Sequence, residues 1–193
     1  MANRDMDSPD VCVIVVNYNA SDHLSRCISA LKLQTYENYE VIIIDNASQD
    51  DSLAKLGNLP NNYKIIRNDE NLGFAAANNI AVKQTESAWI ATLNPDAIPD
   101  PNWLQKLIFA CVNNPNYFSF ASVLISDKDP AKLDGAGDVY HLSGLVWRGG
   151  HGRSIDDLPS SGEVFSACSA AALYRKDIFE EVGGFDENFF CYI

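Results

Sequence analysis

Apolar positions in the first half of the chain fall into two patterns, short continuous runs and longer helical stripes. Val11 to Val16 is a continuous run rich in β-branched residues, the pattern of a strand covered on both faces. Ser21 then offers a cap to a segment in which Leu24, Cys27, Ile28 and Leu31 recur at helical spacing. Val41 to Ile44 reads as a second buried strand, Ser52 to Leu56 as a short helix and Tyr63 to Ile66 as a third strand. Gly73 to Gln84 is an alanine-rich helix and Trp89 to Leu93 a fourth strand. Beyond Pro101, Leu104, Leu107, Ile108 and Cys111 form one more amphipathic stripe. Strands alternating with helices at this spacing predict a mainly parallel, Rossmann-like sheet flanked by helices, an α/β fold.

The pattern changes past Pro115. Phe118 to Ile125 predicts a strand, whereas Asp134 to Ser161 is rich in Gly, Asp and Ser and reads as a loop or lid. Val164 to Tyr174 returns to strand character, and Asp177 to Val182 is a short helix closed by Gly183-Gly184. No repeat interrupts this order.

Length and charge narrow the partners. A chain of 193 residues suffices for one domain with its own core. Its formal net charge of -12 argues against a nucleic acid and against polybasic attachment to anionic lipid, and a phosphate ligand would need added positive charge such as a bound cation. No window reaches membrane-spanning length and the first ten residues lack signal-peptide regions, so a cytoplasmic address is expected. Cys12, Cys27, Cys111, Cys168 and Cys191 lack metal-ligand spacing and read as free thiols.

Three polar loops follow successive strands: Asn17-Tyr18-Asn19, Asp45-Asn46 and Asn94-Pro95-Asp96. In a parallel sheet all three leave the same edge and line one crevice. Asp96 beside Asn94 suits a hard divalent cation that grips a phosphate, and the same residue types also make an ordinary turn. Asp45 offers an acceptor to a base or ribose, or an Asx turn; Tyr18 offers a ring for stacking, or a packing residue. Asn71 and Gly73 open the alanine-rich helix, where free N–H groups would face phosphates with Gly73 permitting close approach; capping by Asn71 is the alternative. His23 reads as solvated. His141, His151, Arg148 and Arg153 lie in the irregular segment, where the arginines either reach diphosphate oxygens or stay in solvent.

Val13-Ile14-Val15-Val16-Asn17-Tyr18-Asn19, Asp45-Asn46-Ala47-Ser48, Asn71-Leu72-Gly73-Phe74-Ala75, Leu93-Asn94-Pro95-Asp96 and Val182-Gly183-Gly184-Phe185-Asp186-Glu187 resemble, in this order, the signatures of family 2 glycosyltransferases. Within that family they are most similar to the bacterial rhamnosyltransferase-like branch. The resemblance runs from about Val11 to the last residue and implies a GT-A fold. Residues 1–10 would be a tail and 11–193 a single domain incomplete at its C-terminus, with 11–115 the nucleotide-sugar half and 116–193 the acceptor-side half. The implied activity is transfer, with inversion, of a sugar from a nucleotide diphosphate-sugar donor to a hydroxyl of a saccharide or lipid-linked acceptor, the latter at the inner membrane face. Val16 and Tyr18 would contact the nucleoside, Asp45 the base, and the helix after Asn71 and Gly73 would lie along the donor. Asp96 would ligate Mg2+ or Mn2+, and Asn94 takes the first position of the family's Asp-x-Asp signature, leaving an oxygen ligand without its charge.

In the family an acidic Glu-Asp pair follows the Gly-Gly-Phe-Asp-Glu segment and its Asp is the base. The chain stops at Phe189-Phe190-Cys191-Tyr192-Ile193, so the base is expected beyond Ile193 in a longer form. Asp186 is the candidate inside the chain, against a reading of its segment as a helix stop and turn. Two rivals use the same crevice: a non-catalytic nucleotide-sugar-binding module, and a response-regulator-like domain with an acidic Mg2+ pocket. The second leaves the long irregular segment and the final Gly-Gly turn unexplained.

Overall fold

The unbroken apolar run at the start forms a strand whose two sides meet two different layers. The structure, a computed structural model, describes residues 9–158 and 161–190. Most of the expected N-terminal tail and Cys191 therefore lie outside the described residues. In Val11–Asn17 (β1), Val11, Val13 and Val15 pack on one face and Cys12 and Ile14 on the other. The first face is covered by Asp22–Leu31 (α1), through Leu24, Cys27, Ile28 and Leu31, and by Trp103–Asn113 (α3), through Trp103, Leu104, Leu107 and Cys111. The second face is covered by Gly73–Val82 (α2) and Lys176–Glu181 (α4), through Ala77, Ala81, Val82 and Phe179. Small alanines bring α2 close to the sheet, so the helix is buried round most of its circumference.

Tyr39–Asn46 (β2), Tyr63–Asn68 (β3) and Trp89–Leu93 (β4) join β1 in parallel. With Ser119–Ala121 (β5) and Ala171–Arg175 (β10) the sheet order is β3-β2-β1-β4-β10-β5, and β10 runs antiparallel to both of its neighbours. The mainly parallel α/β sheet expected from the alternation is present. Ala54–Leu56 forms a 3-10 turn within the predicted short helix, and Cys12, Cys27, Cys111 and Cys168 are free.

Four local expectations need correction. Ser21 does not cap α1 through its side chain: it sits at φ 51° and its N–H donates to Asp50 Oδ2 at 2.7 Å, which turns the residue to the neighbouring loop. The predicted strand over 118–125 breaks at Ser122 into β5 and Val123–Ile125 (β6), which belong to different sheets. There the Trp103 indole N–H donates to Ser122 Oγ at 2.8 Å and the Ser122 N–H to the Ala171 carbonyl at 3.1 Å. The segment read as a loop or lid contains strands: Leu133–Ala136 (β7) pairs with β6, and Asp138–Tyr140 (β8) pairs with Val146–Arg148 (β9). Of the predicted strand over 164–174, only its end lies in β10, where β4 and β5 supply partners on both sides.

The segment after α4 returns to α2. Asn79 Nδ2 donates to the Phe185 carbonyl at 2.8 Å and to Glu187 Oε1 at 2.9 Å, while its Oδ1 accepts from the Phe185 N–H at 3.0 Å. At the start of α2 the Phe74 N–H donates to the Phe190 carbonyl at 2.7 Å. Gly73 has φ +81°, and a Cβ there would stand 2.2 Å from the Phe190 oxygen. The glycine is required by this chain crossing and by its own left-handed backbone. Gly73→Ala is expected to lower stability by about 2 kcal/mol and to release Phe190 from α2. Urea unfolding with hydrogen exchange at the Phe74 amide checks this; wild-type stability and protection would contradict the crossing.

Candidate functional site

Because β1, β2 and β4 are parallel, their carboxyl ends deliver three polar loops to one edge. The first two loops are tied together below the surface. Asn17 and Asp45 are register partners at the ends of β1 and β2, both buried, with Asn17 Nδ2 2.7 Å from Asp45 Oδ1. The same Nδ2 lies 3.0 Å from Ser48 Oγ and 3.0 Å from Ser52 Oγ. Nearer the surface the Asn19 N–H donates to Ser48 Oγ at 3.0 Å, and the Gln49 N–H donates to Asn19 Oδ1 at 2.8 Å. Asn19, Ser21 and Ala47 all have positive φ, the only non-glycine residues to do so among the described residues. Side-chain hydrogen bonds hold this backbone in a region that such residues seldom adopt.

A cavity of about 390 Å³ opens at this edge. Six of the seven residues predicted for the donor line it: Val16, Tyr18, Asn71, Gly73, Asn94 and Asp96. Asp45 does not; it is 4% exposed and lies behind the wall, with its neighbour Asn46 in the lining. Asn46 joins three elements, donating to the Gly73 carbonyl at 3.1 Å and accepting from Asn68 Nδ2 at 2.7 Å.

The start of α2 differs from the phosphate cradle expected there. The Gly73 N–H is taken by Asn71 Oδ1 at 3.0 Å and the Phe74 N–H by Phe190, so neither points free into the cavity. Asn71 thus binds its own helix start, as the capping alternative expected, although the N-cap position itself is Leu72. His23 is exposed, as expected, and also lines the cavity, as does Phe190. His23 is the second residue of α1, close to the β1 loop, a placement visible only once that loop's course is known; no sequence signal marked Phe190.

Among the described residues, Asp96 is the one carboxylate in the lining and no Lys or Arg lines the cavity. The Cys27 Sγ faces the Asn94 carbonyl at 3.7 Å, but burial, with the Asp96 carboxylate adding to it, pushes the thiol up to about 12. Cys27 is thus a neutral S–H and no thiolate ligand. Among the described residues no cluster of three or more His, Cys, Asp or Glu side chains is placed to hold a metal. A cation here would take Asp96 and fill its other positions from a ligand's phosphates and water, a donor set that suits Mg2+ or Mn2+.

The remaining candidates lie elsewhere. Arg148, His151 and Arg153 line a different cavity that shares no residue with the first, so they do not face a diphosphate bound there. His141 Nδ1 is 2.8 Å from Ser143 Oγ in the β8–β9 turn. Asp186 accepts from Asn188 through the backbone N–H at 3.0 Å and Nδ2 at 2.8 Å, and it does not line the cavity.

A doubly covered, mainly parallel sheet with a polar crevice at its strand ends is an open α/β architecture, and its likeness to solved glycosyltransferases makes it a GT-A fold. The chain belongs to glycosyl transferase family 2, whose family model matches residues 12–183. It is 35% identical over 119 residues to an uncharacterized glycosyltransferase of Haemophilus influenzae, covering 60% of this chain and 37% of that protein. It is 26% identical over 204 residues to the N-acetylglucosaminyl-diphospho-decaprenol L-rhamnosyltransferase of Mycobacterium tuberculosis, covering 94% of this chain and 66% of the relative. The chain thus spans less than two thirds of these relatives. Among solved structures it resembles GalNAc-T7 with UDP, GalNAc and Mn2+, at a TM-score of 0.73 and 16% identity over 98% of this chain and 39% of that one. It also resembles the mannosyltransferase PcManGT of Pyrobaculum calidifontis with GDP-Man and Mn2+, at a TM-score of 0.65 and 18% identity over 94% and 48%. No helix among the described residues is long and apolar enough to cross a membrane.

The buried Asn17–Asp45 bond makes a prediction of its own. Asn17→Ala is expected to cost about 2 to 3 kcal/mol, since Asp45 then keeps a buried oxygen without its partner. In a double-mutant cycle with Asp45→Ala, measured by denaturant unfolding, the two losses should fall well short of additive. Additive losses would mean the pair does not act as a unit.

Proposed function

We propose that this chain is the donor-binding part of a metal-assisted, inverting glycosyltransferase that uses a nucleotide diphosphate-sugar. The observation that carries the reading is the composition of the strand-end cavity, which offers one carboxylate, several amide groups, an exposed tyrosine ring and no Lys or Arg. Among the described residues a diphosphate entering it meets no Lys or Arg, so its charge would be balanced by an ion bound with it. Asp96 would hold Mg2+ or Mn2+, with the Asn94 carboxamide beside it. When bound, the cation stabilises the charge that develops on the leaving diphosphate.

The other roles follow from placement. Tyr18, 51% exposed at the rim, would stack on the base, and Val16 would pack against the nucleoside. Asp45 would act through Asn17 and the loop it anchors, holding Tyr18 in place, rather than by touching the base. Asn71 and Gly73 would border the donor through the cavity wall. The division into a nucleotide-sugar half, 11–115, and an acceptor-side half, 116–193, belongs to the same reading.

The attacking hydroxyl must lose a proton as the new bond forms, which requires a placed base. Asp186 is engaged by Asn188, and Glu187 accepts from Asn79. We therefore assign the base, by family likeness, to an acidic pair beyond Ile193. The rhamnosyltransferase relative supports a saccharide or lipid-linked acceptor, and the two neighbours solved with Mn2+ support the choice of metal. A lipid-linked acceptor would be met at the cytoplasmic membrane face.

Calorimetry with UDP and GDP tests the donor site. In Mn2+ at least one should bind, with EDTA or Asp96→Ala weakening it by about tenfold to a hundredfold. Equal affinity in EDTA would remove the assigned role of Asp96.

A further inference from the structure

The second cavity, about 560 Å³, is lined by Trp147, Arg148, Gly150, His151 and Arg153. Three basic side chains converge there within six residues, in a chain whose net charge is -12. The cause is local. Trp147 and Arg148 end β9, and Gly150 and Gly152 follow with φ +73° and +77°, left-handed positions that reverse the backbone twice. The turn is then pinned to β7: the Leu133 N–H donates to the Arg153 carbonyl at 2.9 Å, and the Gly152 N–H donates to the Leu133 carbonyl at 2.9 Å.

The basic groups are not equally committed. Arg148 is ion-paired with Asp134 Oδ2, and His151 Nδ1 lies 2.8 Å from the Asp134 carbonyl oxygen and 3.5 Å from its Oδ1. Asp134 therefore offsets one guanidinium and orients it. Arg153 is exposed, and among the described residues its guanidinium has neither an ion-pair nor a hydrogen-bond partner. Trp147 is 49% exposed, leaving ring surface open beside these cations.

We infer that this cavity is a subsite for a phosphate-bearing saccharide, with the phosphate on Arg153 and Arg148 and the sugar ring against Trp147. Guanidinium groups match phosphate oxygens in a fork geometry, and an indole face suits the apolar C–H side of a sugar. The volume suits a small ligand of this class. The inference rests on the transferase reading for the ligand's role as acceptor, but the site shares no residue with the donor cavity. It therefore fails or stands separately.

The test uses the purified chain in EDTA, so that no metal-bound phosphate contributes, with glucose 1-phosphate, glucose and inorganic phosphate as probes in saturation-transfer NMR titrations. Glucose 1-phosphate should bind more tightly than either other probe. Arg153→Ala and Trp147→Ala should each weaken it by about tenfold, while UDP binding in Mn2+ and the circular dichroism spectrum stay unchanged. Both substituted residues are exposed, which keeps the variants foldable. Two results overturn the inference: no glucose 1-phosphate binding, or binding that both variants leave intact. Inorganic phosphate binding as tightly as the sugar phosphate would reduce the cavity to an ion site and overturn it too. Vesicles containing phosphatidylglycerol form a further arm. Arg153-dependent flotation without glucose 1-phosphate binding would assign the cations to a lipid headgroup and reject the saccharide. Loss of UDP binding with glucose 1-phosphate binding retained would count against the donor reading alone.

Discussion

The strand-end crevice depends on a buried hydrogen bond between Asn17 and Asp45. A carboxylate at the end of a central strand is costly to bury without partners, and its partner here is supplied by the adjacent strand in register. With that bond made, the polar ends of β1 and β2 share one network through Ser48 and Ser52, and the loops leave the sheet at fixed positions. The positive-φ residues of these loops are the local cost of that arrangement. Tyr18 stands at the rim of the cavity because the residue before it is anchored below.

A second constraint acts from the far end of the described chain. Asn79 binds the segment after α4 through its whole carboxamide, and the Phe190 carbonyl then takes an N–H at the start of α2. A helix start that is exposed in many nucleotide sites is thereby partly closed by the chain itself. The start of α2 therefore offers no free Gly73 or Phe74 amide to a phosphate, and in the proposed reading an ion on Asp96 would meet that charge instead.

The legible parts of the sequence are those whose partners are local or obligatory. Val11 to Val16 and Val41 to Ile44 are buried on both faces, so every position reports burial and the strands show as unbroken apolar runs. The α1 and α3 stripes showed for the same reason. The region past Pro115 was less legible because β5 to β9 are three or four residues long and take their identity from distant partners. Phe118 to Ile125 is one apolar run in sequence and two strands in space, since Ser122 is held by Trp103 and by Ala171. In the cavity, six residues showed as strand-end or helix-start polar and aromatic groups, whereas the burial of Asp45 and the arrival of Phe190 depend on tertiary contacts no pattern encodes.

The two cavities divide charge in a way that fits the chemistry proposed for them. A donor diphosphate gains negative charge as its bond to the sugar breaks and must afterwards leave. Asp96 would hold a cation against that charge, whose stabilisation would grow as the bond breaks. An acceptor phosphate has the same charge before and after transfer, so it needs only uniform binding, which fixed guanidinium groups supply. Among the described residues the donor cavity has no Lys or Arg while the β9 turn carries two arginines, which is the division the proposed chemistry requires in a chain that otherwise carries an excess of acid.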